Sequence, residues 1–174
     1  MPEECRVVAL SGLPGSGKTT IARGAAARLG LPLVEMDHYY RAPADPAQGV
    51  DFSDPHSIDP SILQAAIDQH TASGASILLI EGIFALALPP IRRQIHDVVW
   101  VEAPLDICLA RKLLRKLDEG ADVRPSSHGY LDRARSRYLT HIVSARTGVA
   151  LELNGLEPVE ASITALIEWI EHES

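Results

Sequence analysis

An α/β domain with helices on both faces of a parallel sheet is what this 174-residue sequence predicts, on three observations. Short apolar runs alternate with longer helical stretches, and no internal repeat interrupts them. Several runs are apolar on consecutive residues, as strands covered on both faces must be. The length suits one well-buried core and is short for two.

The strands are expected at residues 5–10 (CRVVAL), 32–36 (PLVEM), 76–81 (SILLIE), 97–102 (DVVWVE) and 149–153 (VALEL). Helices fit between and after them, at residues 18–29, 60–71, 104–117, 129–146 and 159–172. Pro104 suits the first position of its helix, where a missing N–H costs nothing. Two stretches resist regular structure. Residues 37–59 are rich in proline and aspartate, and 118–128 (DEGADVRPSSH) is polar and turn-rich. Long irregular segments inside a compact domain tend to be functional, so both are candidate substrate contacts.

Composition narrows the function classes. Hydrophobic residues at 46% and charged residues at 22% are ordinary globular values. Sixteen basic against 23 acidic residues give a net charge of −7, which argues against a nucleic-acid partner. Cys5 and Cys108 lack metal-ligand spacing and are expected as buried free thiols, in keeping with a reducing compartment. MPEECRVVAL carries acidic residues where a signal peptide needs basic ones, and no apolar run approaches a membrane span. A cytoplasmic protein without a membrane partner is expected.

Gly12-Leu13-Pro14-Gly15-Ser16-Gly17-Lys18-Thr19 fits G-x-x-x-x-G-K-[ST] at every fixed position. It follows an apolar run and opens a helical one. In that setting the glycines let backbone N–H groups curl around phosphate oxygens, and the helix N-terminus adds partial positive charge. Lys18 would reach the β- and γ-phosphates of ATP and the Thr19 hydroxyl would ligate Mg²⁺, with Thr20 next in the same nucleotide-binding segment. The expectation becomes a single P-loop NTPase domain over residues 1–174: three α/β/α layers, a five-stranded parallel sheet and a short lid.

A metal on a triphosphate needs a second protein contact, and Glu81 follows Ile77–Ile80 where a strand should end at the ligand-binding edge. It would complete the Mg²⁺ site with Thr19, or else be solvated or cap a turn. Residues 36–41 (MDHYYR) concentrate two of four tyrosines just after the second strand. Asp37 there would orient an acceptor hydroxyl, or close an Asx turn; Tyr39 and Tyr40 would line a pocket or pack on a helix. No guanine-reading NKxD and no LSGGQ-like run is present, so phosphoryl transfer to a small acceptor is favoured over a switch or a transporter motor.

Over most of its length the sequence resembles the uridine kinase and phosphoribulokinase group of P-loop kinases, through MDHYYR, DFSDPHSID, LLIEGIFAL and DICLARKLLRK. The resemblance implies that Asp37 takes the proton of the acceptor hydroxyl and that Tyr40 lines a nucleoside pocket, with Tyr39 in place of a usual Phe. The family's N-F-D-H-P run, whose Asp holds sugar hydroxyls, reads Asp51-Phe52-Ser53-Asp54-Pro55 here. Ser53 takes the family's Asp position, and Asp54 beside it is the substitute for acceptor binding. Lys112 and Arg115 match basic lid positions that neutralise the transferring phosphoryl group, Lys116 replaces a usual Asp, and Arg124 would recover a charge that Glu119-Gly120-Ala121 lacks. Lys18, Asp37 and Arg115 are thus the catalytic candidates.

The activity implied is ATP-dependent phosphorylation of a hydroxyl on a small molecule, foremost a nucleoside. Nicotinamide riboside, pantothenate, a sugar or a sugar acid are alternative acceptors, and a nucleotide-binding regulatory module is the alternative from another class. The expected partner is the small-molecule acceptor, and a homo-oligomer stays open.

Overall fold

The computed structural model describes residues 5–47 and 49–173. Strand β1 (Arg6–Ser11) leads through the glycine-rich loop into α1 (Lys18–Leu29) and back to β2 (Leu33–Glu35). Helix α2 (Pro60–Ala72), β3 (Ile77–Glu81), the single turn α3 (Pro89–Arg92), β4 (Asp97–Glu102) and α4 (Leu105–Asp118) follow. Helices α5 (Arg124–Gly129) and α6 (Arg135–Tyr138), β5 (Val149–Asn154) and α7 (Val159–His172) complete the chain.

All four strand pairings are parallel, in the order β2-β3-β1-β4-β5. Successive strand residues point to opposite faces, so the continuous apolar runs feed two cores. Val8, Leu10, Leu79, Val99 and Val101 meet α1 and α7 on one face. Val7, Ala9, Leu78, Ile80, Val98 and Trp100 meet Leu63 and Ile67 of α2, Phe84 and Ile142 on the other. Each fully buried Val, Leu, Ile or Phe contributes about 1.5–3 kcal/mol, so the sheet is the rigid platform of the molecule. Where β4 has not yet begun to pair, the Val7 amide donates to His96 Nδ1 at 3.0 Å and the His96 amide donates to the Val7 carbonyl at 2.9 Å.

The structure differs from the sequence reading at particular ends. Strand β2 stops at Glu35 because Met36–Tyr39 turns into a 3-10 helix. Pro104 caps α4 from outside instead of opening it. Helix begins again at Arg124, with Pro125 tolerated in the first turn, and runs through two π-helical segments, Tyr130–Ala134 and Leu139–Val143, on either side of α6. The polar composition of 124–128 disguises this, and only the turn at 119–123 between α4 and α5 is irregular. Both cysteines are buried and free, as expected. Among the described residues no helix is long and apolar enough to cross a membrane.

Candidate active site

The loop after β1 owes its shape to two close approaches. A Cβ on Gly12 would lie 2.5 Å from the Val101 carbonyl oxygen, and one on Gly15, whose φ is +93°, would lie 2.4 Å from the Cys108 carbonyl oxygen. Only glycine lets the loop press against the ends of β4 and α4 in this way. Arg111 reinforces that seat by donating to the Gly155 carbonyl at 2.8 Å. The Ser16 hydroxyl is buried without a hydrogen-bond partner. A buried orphan donor in a curled backbone loop at the start of a helix fits a bound phosphate group.

Lys18 and Glu81 are both almost fully buried, at 7% and 1% exposure. Burial pushes the Lys18 pKa below its ordinary value, opposed by the charges of Glu81 and Asp37. Burial likewise pushes the Glu81 carboxyl up, opposed by the Lys18 charge and by the hydrogen bond from Thr19. Thr19 Oγ1 donates to Glu81 Oε2 at 3.1 Å, so a hydroxyl and a carboxylate oxygen stand side by side at the carboxyl edge of the sheet. Hard oxygen donors of this kind fit Mg²⁺. Among the described residues no group of three or more His, Cys, Asp or Glu could hold a metal ion by itself. Such an ion would therefore take most of its ligands from phosphate and water, as Mg²⁺ does.

A cavity of about 450 Å³ runs from this loop along the sheet edge. Pro14, Gly15, Gly17, Lys18, Thr19 and Thr20 line its nucleotide end, while Asp37, Tyr40 and Asp51 line it farther along. Arg115 of α4 borders it, as do Lys112 and Lys116. Lys112 is half-buried, and its ammonium donates to the Tyr138 hydroxyl at 3.2 Å and sits 5.8 Å from that ring's centre. Burial lowers its pKa, and Lys116, Arg115 and Lys18 lower it further. Burial pushes the Tyr138 phenol up to about 12, so it stays neutral across the working pH range.

Three residues expected at the acceptor fall outside the cavity. Tyr39 is partly buried against the core, as Tyr40 is, but it does not line the cavity. Asp54 caps the short 3-10 turn Pro55–Ser57, accepting from the His56 amide and pairing with the His56 ring. Arg124 projects into solvent and pairs loosely with Asp122 at 3.9 Å. Asp51 and Tyr138 line the cavity instead, although sequence spacing gave no reason to choose them. The partner of Asp51, Arg137, lies 86 positions away.

A parallel sheet whose first strand passes through a glycine loop into a helix that starts with a buried lysine defines a P-loop nucleotide-binding domain. The chain belongs to the AAA domain family, which it matches over residues 8–125. It is 26% identical over 167 residues to uridine kinase of Deinococcus deserti, across 78% of this chain and 81% of that protein. It is 36% identical over 114 residues to cytidylate kinase of Pyrobaculum arsenaticum, across 61% of this chain and 53% of that one. The fold is also that of shikimate kinase from Acinetobacter baumannii in complex with shikimate, with a TM-score of 0.61 at 18% identity over 99% of this chain and 96% of that one. The resemblance to uridine kinase-like P-loop kinases is thus borne out, and the chain is a small-molecule kinase.

Proposed function

We propose that the protein transfers the γ-phosphoryl group of ATP to a hydroxyl of a nucleoside, in the cytoplasm. The observation that carries this reading is that Lys18 and Asp37 line one cavity, close enough for the Asp37 charge to act on Lys18. A hydroxyl held by Asp37 faces the phosphate end, and the carboxylate accepts its proton as the bond to phosphorus forms. The loop amides of 12–17 and Lys18 hold the phosphates, while Lys112 and Arg115 neutralise charge on the moving group. Thr19 and Glu81 are the residues that would hold Mg²⁺, which supplies charge neutralisation between phosphate oxygens when bound. Tyr40 forms the wall beside the acceptor, its hydroxyl anchored on the Phe52 carbonyl at 3.3 Å.

The choice of a nucleoside rests on the uridine kinase relatives and on the match of Asp37 and Tyr40 to that group. The test is incubation of the protein with MgATP and single acceptors: uridine, cytidine, nicotinamide riboside, pantothenate, sugars and sugar acids. ADP released only in the presence of a nucleoside is expected. Tight ATP binding without release for any acceptor would make the protein a nucleotide-binding regulatory module instead.

A further inference from the structure

The phosphate loop rests against a second loop, the one that follows β5, and one side chain joins the two. Arg111 stands in the second turn of α4 and outside the cavity lining. Its Nη1 donates to the Gly155 carbonyl at 2.8 Å and reaches the Gly15 carbonyl at 3.5 Å. The two N–H groups of that one nitrogen are enough for both. Gly155 is itself fixed. Its amide donates to the Glu102 carbonyl at 2.7 Å, and the next amide, of Leu156, donates to Asn154 Oδ1 at 3.0 Å. A Cβ on Gly155 would lie 2.7 Å from the Ser16 carbonyl oxygen, so the loop after β5 lies directly against the phosphate loop.

These contacts fall on the carbonyls of two consecutive peptides, and in a trans peptide the carbonyl and the following N–H point in opposite directions. With the Gly15 and Ser16 carbonyls turned toward Arg111 and Gly155, the amides of Ser16 and Gly17 point away from them, to the side on which the loop curls. The Ser16 amide donates across the loop to the Leu13 carbonyl at 3.1 Å, and Lys18 Nζ reaches the same carbonyl at 3.4 Å. An anion cradle is built from successive amides that face one way, so a peptide that flips removes a donor from it. Gly15 and Gly17 leave such a flip sterically open, because glycine visits both signs of φ. Carbonyl partners outside the loop are what oppose it.

We infer that Arg111 is a positioning residue for the nucleotide: by tying the Gly15 carbonyl to the Gly155 carbonyl, it keeps the amides of the phosphate loop turned toward the phosphates without touching the nucleotide itself. This rests on the reading of residues 12–19 as the segment that holds the phosphates, and it is independent of the acceptor.

The experiment measures binding of MgATP and of magnesium tripolyphosphate, which has phosphates but no base or sugar. The proteins are wild type, Arg111→Met, Arg111→Lys, Gly155→Ala and the double variant that joins Arg111→Met to Gly155→Ala. Titration calorimetry gives the affinities, at a temperature where urea denaturation shows each variant to be folded. A hydrogen bond from a charged group carries enough energy for Arg111→Met to weaken both ligands by about ten- to a hundredfold. Arg111→Lys should recover part of that loss, because an ammonium can still reach one carbonyl. Gly155→Ala should weaken both ligands as well, and the double variant should lose much less than the product of the two single losses, because both act through one seat. Wild-type affinities in Arg111→Met would overturn the inference. A loss confined to MgATP would also overturn it, by putting Arg111 on the base or sugar. Losses that multiply in the double variant would do the same, since Arg111 would then act on the phosphates directly. Failure of the wild type to bind either ligand would sink the phosphate-loop reading and this inference together.

Discussion

The Thr19 hydroxyl donates to Glu81 Oε2 at 3.1 Å, tying the first turn of α1 to the end of β3. The bond joins the nucleotide loop to the one buried carboxylate beside it, and it orients that carboxylate. Glu81→Gln keeps an oxygen acceptor for Thr19 and removes the charge. We expect phosphoryl transfer to fall by about a hundredfold or more, as for other lost charge-stabilising groups. Stability should move the other way. Burial raises the folded pKa of Glu81, so its contribution to stability is full below the ordinary carboxylate value and is lost as pH rises through the raised one. At pH 7 the buried charge is a net cost, and the melting temperature of Glu81→Gln should equal or exceed that of wild type. A clear drop would make Glu81 a structural ion-pair partner of Lys18 and nothing more.

Asp37 lines the cavity while its side chain stays largely open to solvent, so substitution there should leave the fold alone. Asp37→Asn keeps the shape and removes the proton acceptor. General-base catalysis is worth about 10²–10⁴-fold, and that loss is expected in single-turnover transfer with ATP affinity unchanged. Transfer at the wild-type rate would show that another group orients the hydroxyl.

Lys112 presents a different balance. Its half-buried ammonium has the Tyr138 hydroxyl as hydrogen-bond partner, and every charge that acts on it is positive. Lys112→Met should stabilise the unliganded protein and slow transfer by about tenfold or more, because the lost charge faces the moving phosphoryl group. The folded pKa lies below the ordinary 10.5, so the unfolded chain binds more protons between those values and stability rises with pH across that window. Urea titrations from pH 8 to 10.5 should show a steeper rise for wild type than for Lys112→Met. Equal slopes would mean that the ammonium is solvated.

Local chemistry and long-range chemistry were unequally legible in the sequence. The order of strands and helices could be read because apolar runs on consecutive residues leave no other way to be buried. The phosphate loop could be read because strand, glycines, lysine and helix stand next to one another in the chain. The acceptor wall could not. Tyr39 and Tyr40 are neighbours in sequence and both lean on the core, and nothing in their composition says that only Tyr40 also lines the cavity beyond the 3-10 turn. Asp54 stands next to the family's acidic position in sequence, but the short turn at Pro55–Ser57 claims its carboxylate as a cap. The serines and histidine of 124–128 read as a loop, although Pro125 sits where the first turn of a helix tolerates it.

Gly15 tests the seat of the phosphate loop. An alanine Cβ at that position would collide with the Cys108 carbonyl oxygen at 2.4 Å, and φ of +93° is itself unfavourable for an L side chain. Relief requires the loop to lift away from α4, at a cost of about 1–3 kcal/mol from strain and overpacking. Gly15→Ala should therefore lose stability by that amount in chemical denaturation and weaken ATP binding in the same variant. Loss of ATP binding with full stability would place the effect in contact with the nucleotide, not in the loop's seat on α4.

His96 offers a prediction remote from the cavity. The Val7 amide in the buried central strand donates to His96 Nδ1 at 3.0 Å, in the place where a neighbouring strand would supply a carbonyl. The Nδ1 lone pair thus closes the hydrogen-bond ladder of the strand at this point. His96→Ala leaves the amide without its acceptor and should cost about 1–3 kcal/mol at pH 8. His96→Asn, whose short side chain carries a carbonyl acceptor, should recover part of that loss. Urea denaturation of the three proteins at pH 8 measures this directly. Equal stability of wild type and His96→Ala would mean that the Val7 amide finds water instead, and that the imidazole is incidental to the sheet.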